Sequence, residues 1–238
     1  MTSAADRKPV CVVVGVGPGN GAAIARRFAG AGYALALIAR STGFAADLAQ
    51  QIGGARAYAC DIAETEAVAS VFGRIREDLG DVDVLVFNAG TGNWGSVETI
   101  TPADFEAAWR TSAFGTLLAS QQVIPAMKRN GHGAIIIIGA TASLRGVPAT
   151  AAVAPAKAAQ RILAESMARS LGPAGIHVAV LILDGVVDLP ATRAYFPDKP
   201  DDYFIKPAAV AQAALTLVGQ DRSAWSFQTE LRPFGEKW

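Results

Sequence analysis

The chain has 238 residues, enough for one large domain with a full core and no need of disulfides or a structural metal. Hydrophobic residues make up 51% and charged residues 18%, a balance suited to parallel strands covered on both faces. Lys+Arg and Asp+Glu both number 21, so no global basic field draws the chain to nucleic acid or anionic lipid, although a local phosphate site needs only a few backbone amides and one arginine.

The start, Met1 to Pro9, carries Asp6, Arg7 and Lys8 and has neither a signal-peptide core nor a membrane span. The apolar run Ile135–Ile138 is far too short to cross a bilayer. Cys11 and Cys60 each fall at a predicted strand and read as small core hydrophobes, which fits a reducing cytosol and a cytoplasmic location.

Val10–Val14 is a β-branched run entering a glycine cluster, hence a strand. A helix follows over Gly21–Ala31, with Ile24, Phe28 and Ala31 on one stripe. Ala34–Ile38 reads as a strand, Phe44–Ile52 as a helix and Ala55–Ala59 as a strand. Ile62–Gly80 has the apolar spacing of a surface helix, and Val82–Phe87 is the fourth strand.

Thr101–Asn130 is one long helix or two in succession, with Thr101-Pro102 as cap and first turn. Ala134–Ile138, Pro155–Leu171, Ile176–Leu183, Pro207–Val218 and Trp225–Leu231 continue the alternation as strand, helix, strand, helix and short strand. Strands separated by helices imply right-handed crossovers and a parallel sheet. The expected fold is therefore α/β, a single domain over 1–238 with helices on both faces of a parallel sheet. The stretch 184–206 stands apart, with Pro190, Pro197 and Pro200 and four aromatics, and reads as a substrate lid over the ligand crevice or a partner contact.

The sharpest local signal is Gly15-Val16-Gly17-Pro18-Gly19-Asn20-Gly21, between a strand and a helix. Glycines let the backbone turn tightly beside a pyrophosphate, and the helix start supplies free N–H donors, as in a Rossmann dinucleotide fold. The second strand ends in Arg40-Ser41 where an acid would bond ribose hydroxyls; a guanidinium fork suits a 2′-phosphate, so NADP(H) is expected. Asp61 can accept from an adenine amino group or cap the next helix, and Asn88-Ala89-Gly90 lets the backbone run close to a cofactor.

These segments, with Gly139-Ala140-Thr141-Ala142-Ser143 and Lys157 at the start of a long helix, resemble the short-chain dehydrogenase/reductase family across essentially the full length. Ser166–Ile176 and Leu231–Trp238 look like its glucose/ribitol-dehydrogenase-like subgroup. The resemblance implies NADP as cofactor, a small-molecule substrate, and a homodimer or homotetramer built on the long central helices and the C-terminal region. It sets Lys157 on the nicotinamide ribose, and Ile62 and Gly185 join the residues expected to touch the cofactor.

The family's tyrosine, a phenol of pKa about 10 that a lysine helps to ionise, falls on Val153. Its serine falls on Ala140, with Thr141 as the neighbouring substitute, and its asparagine on Ser112. Tyr195, Tyr203, Asp184 and Asp188 are candidates to replace the phenol, while His132 reads as solvent-facing and His177 as structural. The expected activity is oxidoreduction of a small carbonyl or alcohol with altered acid/base chemistry, using Lys157, Thr141 and Ser112. The alternatives are a catalytically silent NADP(H)-binding protein and a non-redox isomerase or lyase.

Overall fold

The computed structural model describes residues 7–236. Met1–Asp6 and Lys237–Trp238 lie outside the described residues, and with them most of the leader reading and the role of Trp238. The element order is β1 (Val10–Val14), α1 (Asn20–Gly30), β2 (Ala34–Ala39), α2 (Gly43–Ile52), β3 (Ala55–Ala59), α3 (Thr65–Leu79) and β4 (Val82–Phe87). It continues with α4 (Pro102–Trp109), α5 (Gly115–Asn130), β5 (Gly133–Ala140), α6 (Val153–Leu171), β6 (Ile176–Leu183), β7 (Val186–Val187), α7 (Pro190–Tyr195), β8 (Phe204–Ile205), α8 (Pro207–Val218) and β9 (Gln228–Leu231).

Seven strands form one sheet in the order β3-β2-β1-β4-β5-β6-β9, with every pairing parallel. Alternation along each strand divides the core in two. Val10, Val12 and Val14 join α3, α5 and α6 on one face, through residues such as Phe72, Met127 and Met167. Cys11 and Val13 join α1, α2 and α8 on the other, through Phe28, Leu48 and Leu217. The five inner strands are apolar almost throughout because both faces are covered, while the edge strands β3 and β9 carry polar residues. Strand order reverses between β1 and β4, and the crevice beyond their carboxyl ends is where this architecture holds ligands.

The structure redraws several expected boundaries. α3 begins at Thr65 rather than Ile62, because the Ala63 N–H bonds the Asp61 carboxylate at 3.0 Å and the Glu64 N–H bonds the Asp61 carbonyl at 3.1 Å, a local turn that delays the helix. α6 starts at Val153, so Pro155 sits in its first turn, where a missing N–H costs nothing. β9 is shorter than expected because Trp225 stacks on the buried His177 ring, with centroids 4.8 Å apart. Thr101 caps α4 by accepting from the Asp104 N–H at 3.1 Å, and a single wide turn, Arg110–Phe114, joins α4 to α5.

The stretch 184–206 is more ordered than its prolines suggest. β7 and β8 pair with each other, and Arg193 of α7 clamps the segment through Asp188 at 2.7 Å and Asp201 at 2.8 Å while lying 4.0 Å over the Phe204 ring. Cys11 and Cys60 are buried and free, His132 is exposed, and His177 bonds the Ser226 carbonyl at 2.9 Å. Among the described residues no helix is long and apolar enough to cross a membrane.

Phe72 of α3 is fully buried against the sheet. Phe72→Ala should lower the unfolding free energy by about 3–5 kcal/mol, read as a lower denaturant midpoint with an unchanged slope.

Candidate functional site

A cleft of about 380 Å³ opens at the reversal point, lined by Gly15, Gly17, Arg40, Ser41, Asp61, Ile62, Asn88, Ala89 and Gly90. The sequence-predicted contacts from four separate strand ends are thus brought together. The loop is tied down from β4: the Asn88 amide donates to the Gly15 carbonyl at 2.8 Å, and the Asn88 N–H donates to the Val14 carbonyl at 2.9 Å. A Cβ on Gly15, which has φ +87°, would stand 2.6 Å from the Ala89 nitrogen, and one on Gly21 would stand 2.6 Å from the Gly15 oxygen. Those glycines are dictated by close approach of backbone to backbone.

Gly19, Asn20 and Gly21 open α1, which has no side-chain cap. The Ala22 N–H bonds the Gly17 carbonyl at 3.0 Å, so the Asn20 and Gly21 N–H groups and the positive end of the dipole are what the helix start offers to an anion. Asn20 has a buried amide oxygen with no partner, so a polar group is still wanted at this spot. Arg40 is exposed at the rim and makes no ion pair or hydrogen bond among the described residues. The glycine cradle, the uncapped helix start and the uncommitted guanidinium fit a dinucleotide carrying an extra phosphate. The stretch 184–206 reaches this loop too, since the Leu189 side chain occupies the space a Cβ on Gly19 would need.

Lys157 is buried beside the cleft wall. Its Nζ donates to the Ile138 carbonyl and to Gln160 Oε1, both at 3.0 Å. A Cβ on Gly90 would meet Lys157 Cε at 3.8 Å and Nζ at 3.9 Å, so the ammonium lies beside a residue of the cleft wall. Burial pushes this ammonium down to about 8.

The remaining expected groups stand differently. Val153 is buried with Ala142 and Ala154, against Ala140, so the place of the phenol is apolar. Thr141 donates its hydroxyl to Asp184 Oδ1 at 2.7 Å, which turns its proton inward and leaves only lone pairs to offer. Ser112 lies in the wide turn between α4 and α5, is 2% exposed, and gives its carbonyl to Thr116 Oγ1 at 2.7 Å and Gln160 Nε2 at 3.1 Å; Thr111 lines the cleft in its stead. Gly185 packs against the C-terminal segment, where a Cβ would meet Pro233 Cδ at 2.5 Å and Glu236 Oε2 at 2.6 Å.

The candidate replacements for the phenol are committed elsewhere. Asp184 accepts from Thr141, from Arg145 at 3.1 Å and from Arg232. Burial alone would raise its carboxyl, but the Thr141 hydroxyl and the two guanidiniums outweigh burial and hold it below the usual carboxylate range. Asp188 is paired with Arg193. Tyr195 is 80% exposed and rests edge-on against Phe196, while Tyr203 sits between Phe196, Phe204 and the Lys199 ammonium. Gln160 is the residue that sequence reasoning missed. Its spacing of one helical turn from Lys157 was the only available signal.

Comparison with known proteins agrees with this architecture. The family model described as short chain dehydrogenase matches residues 9–199. The 7alpha-hydroxysteroid dehydrogenase of Escherichia coli K12 is 32% identical over 218 residues, covering 87% of this chain and 85% of the relative. A short-chain dehydrogenase from Rhodopseudomonas palustris superposes with a TM-score of 0.83 at 32% identity, over 96% of this chain and 100% of the other. The alcohol dehydrogenase of the archaeon Thermococcus sibiricus, solved with 5-hydroxy-NADP, superposes with a TM-score of 0.86 at 26% identity, over 97% and 99%. With the family model matching residues 9–199 and a relative 32% identical over 87% of its length, the chain belongs to the short-chain dehydrogenase family.

Proposed function

We propose that this chain is an NADP(H)-dependent oxidoreductase acting on a small carbonyl or alcohol without a side-chain phenol. The observation that carries it is the buried Lys157 ammonium beside Gly90, a residue of the same cleft that Arg40 lines. A buried cation without a carboxylate partner is costly to maintain, and an anionic or polyhydroxyl ligand repays that cost. The archaeal relative solved with 5-hydroxy-NADP supports the same cofactor class.

In this reading the amides at the start of α1 hold the pyrophosphate, and Arg40 with Ser41 holds the 2′-phosphate. Lys157 holds the nicotinamide ribose. The nicotinamide supplies or receives a hydride. Ala140, Ala142, Val153 and Ala154 exclude water from one side of the substrate and give an apolar wall. The Thr141 oxygen, its own proton fixed on Asp184, accepts from a water that in turn donates to the substrate oxygen. Replacing a positioned acid with water lowers the rate without abolishing it.

A second reading, a catalytically silent NADP(H)-binding protein, is favoured by that same apolar wall. Calorimetry with NADPH and a panel of small carbonyls separates the two. NADPH binding with measurable oxidation supports the enzyme; binding with no turnover supports the silent protein; no binding of either dinucleotide sinks both.

Assembly as a homodimer or homotetramer belongs to the same proposal. It is supported by Phe105 and Trp109 on α4 and Ile162 on α6, all large, apolar and more than two-fifths exposed.

Arg40→Ala should weaken NADPH by about 10- to 100-fold, the worth of a charged hydrogen bond, and leave NADH almost unchanged in calorimetry. Val153→Tyr sets a phenol one helical turn from Lys157 and should raise turnover on carbonyls by about 10²-fold or more, measured as kcat. Ile162→Glu should shift the chain towards monomer in sedimentation velocity without changing its melting temperature by more than a few degrees.

A further inference from the structure

Gln160 belongs to no glycine loop, lines no cleft and carries no charge, yet it is 1% exposed and every polar atom of its side chain is used. Oε1 accepts from Lys157 Nζ at 3.0 Å. Nε2 donates to the Ser112 carbonyl at 3.1 Å and to Thr116 Oγ1 at 2.7 Å. The amide cannot be turned over. The Ser112 carbonyl can only accept, and the Thr116 hydroxyl already donates to that carbonyl at 2.7 Å, so both want a donor from Gln160. Oε1 is therefore fixed towards Lys157.

We propose that Gln160 is the positioning residue of Lys157, holding the ammonium beside the cleft wall by a neutral acceptor so that its charge stays available to the nucleotide. This rests on the reading that Lys157 grips the cofactor. A carboxylate at the same place would neutralise the lysine, leave the Thr116 oxygen without a donor and leave the Ser112 carbonyl with one donor fewer. An apolar side chain would leave the ammonium with the Ile138 carbonyl as its single partner. The wide turn at Arg110–Phe114 is what delivers the Ser112 carbonyl to Gln160, so the α4–α5 junction and the cleft are mechanically joined.

Lys157 is surrounded by the Ile138 carbonyl from β5, Gln160 from its own helix and the Gly90 backbone from the β4 exit. No charged side chain contributes to its shift; burial lowers it to about 8. The acceptor on Gln160 favours the charged form, so its removal lowers the lysine further and a carboxylate raises it. Affinity for the nucleotide is retained while Lys157 is protonated and falls as pH rises through its pKa.

The test uses the full chain and its Gln160→Met and Gln160→Glu variants. NADPH affinity is followed by calorimetry from pH 6.5 to 9.5, and the Lys157 titration by NMR of ¹³C-labelled lysine without nucleotide. The midpoint should fall by about one pH unit in Gln160→Met and rise by a similar amount in Gln160→Glu. A merely structural role gives a uniform loss of affinity with an unmoved midpoint in both, and that result overturns the proposal. If Gln160→Met fails to fold, the Gln160→Glu shift decides alone. If no nucleotide binds, the cofactor reading fails while the NMR titration still judges Gln160.

Discussion

The hydrogen bond from the Asn88 amide to the Gly15 carbonyl, 2.8 Å long, joins the ends of the two strands between which the sheet reverses. It carries the join past the end of the β1–β4 ladder, beside the backbone bond from the Asn88 N–H to the Val14 carbonyl. The contact of Gly15 with Ala89 completes the join, leaving no room for a side chain. From this join the rest follows outward. The loop fixes where α1 begins, α1 fixes its free N–H groups, and β4 carries Gly90 to the side of Lys157.

A second tie stands across the crevice. Asp184, at the end of β6, gathers Thr141 from the end of β5, Arg145 from the following loop and Arg232 from the segment after β9. A carboxylate in this position, 5% exposed, is tolerable because two guanidiniums and a hydroxyl satisfy it. The tie holds still the walls around the apolar place of Val153. It also takes the Thr141 proton out of play, which is why this side of the crevice is preorganised yet poor in acids.

The molecule thus separates two tasks usually found together. Holding a nucleotide calls for glycines and free amides with a cation nearby, and the cleft brings Gly15, Gly17 and Arg40 together. Moving a proton calls for an ionisable group facing the substrate, and the described candidates are paired, stacked or exposed. Lys157 spans the two tasks, since it is kept charged in an apolar setting by neutral acceptors alone.

Patterns with a local physical cause were legible in the sequence. β-branched runs and helical stripes placed the seven sheet strands and the main helices, because burial on both faces forces a continuous apolar run and burial on one forces a stripe. The glycine loop, Arg40, Asp61 and Asn88 announced the cleft because close backbone approach and phosphate binding restrict residue type at fixed offsets. Only the tertiary structure decided what depends on side chains meeting across distant segments: the inward turn of Thr141 onto Asp184, the burial of Ser112 in a widened turn, the packing of Gly185 under the C-terminal segment and the Gln160 bridge. A hydrogen bond leaves no trace in residue type when its partners lie far apart in sequence, because glutamine, threonine and aspartate satisfy themselves as readily with water. Packing alone removes the water and decides which partner remains.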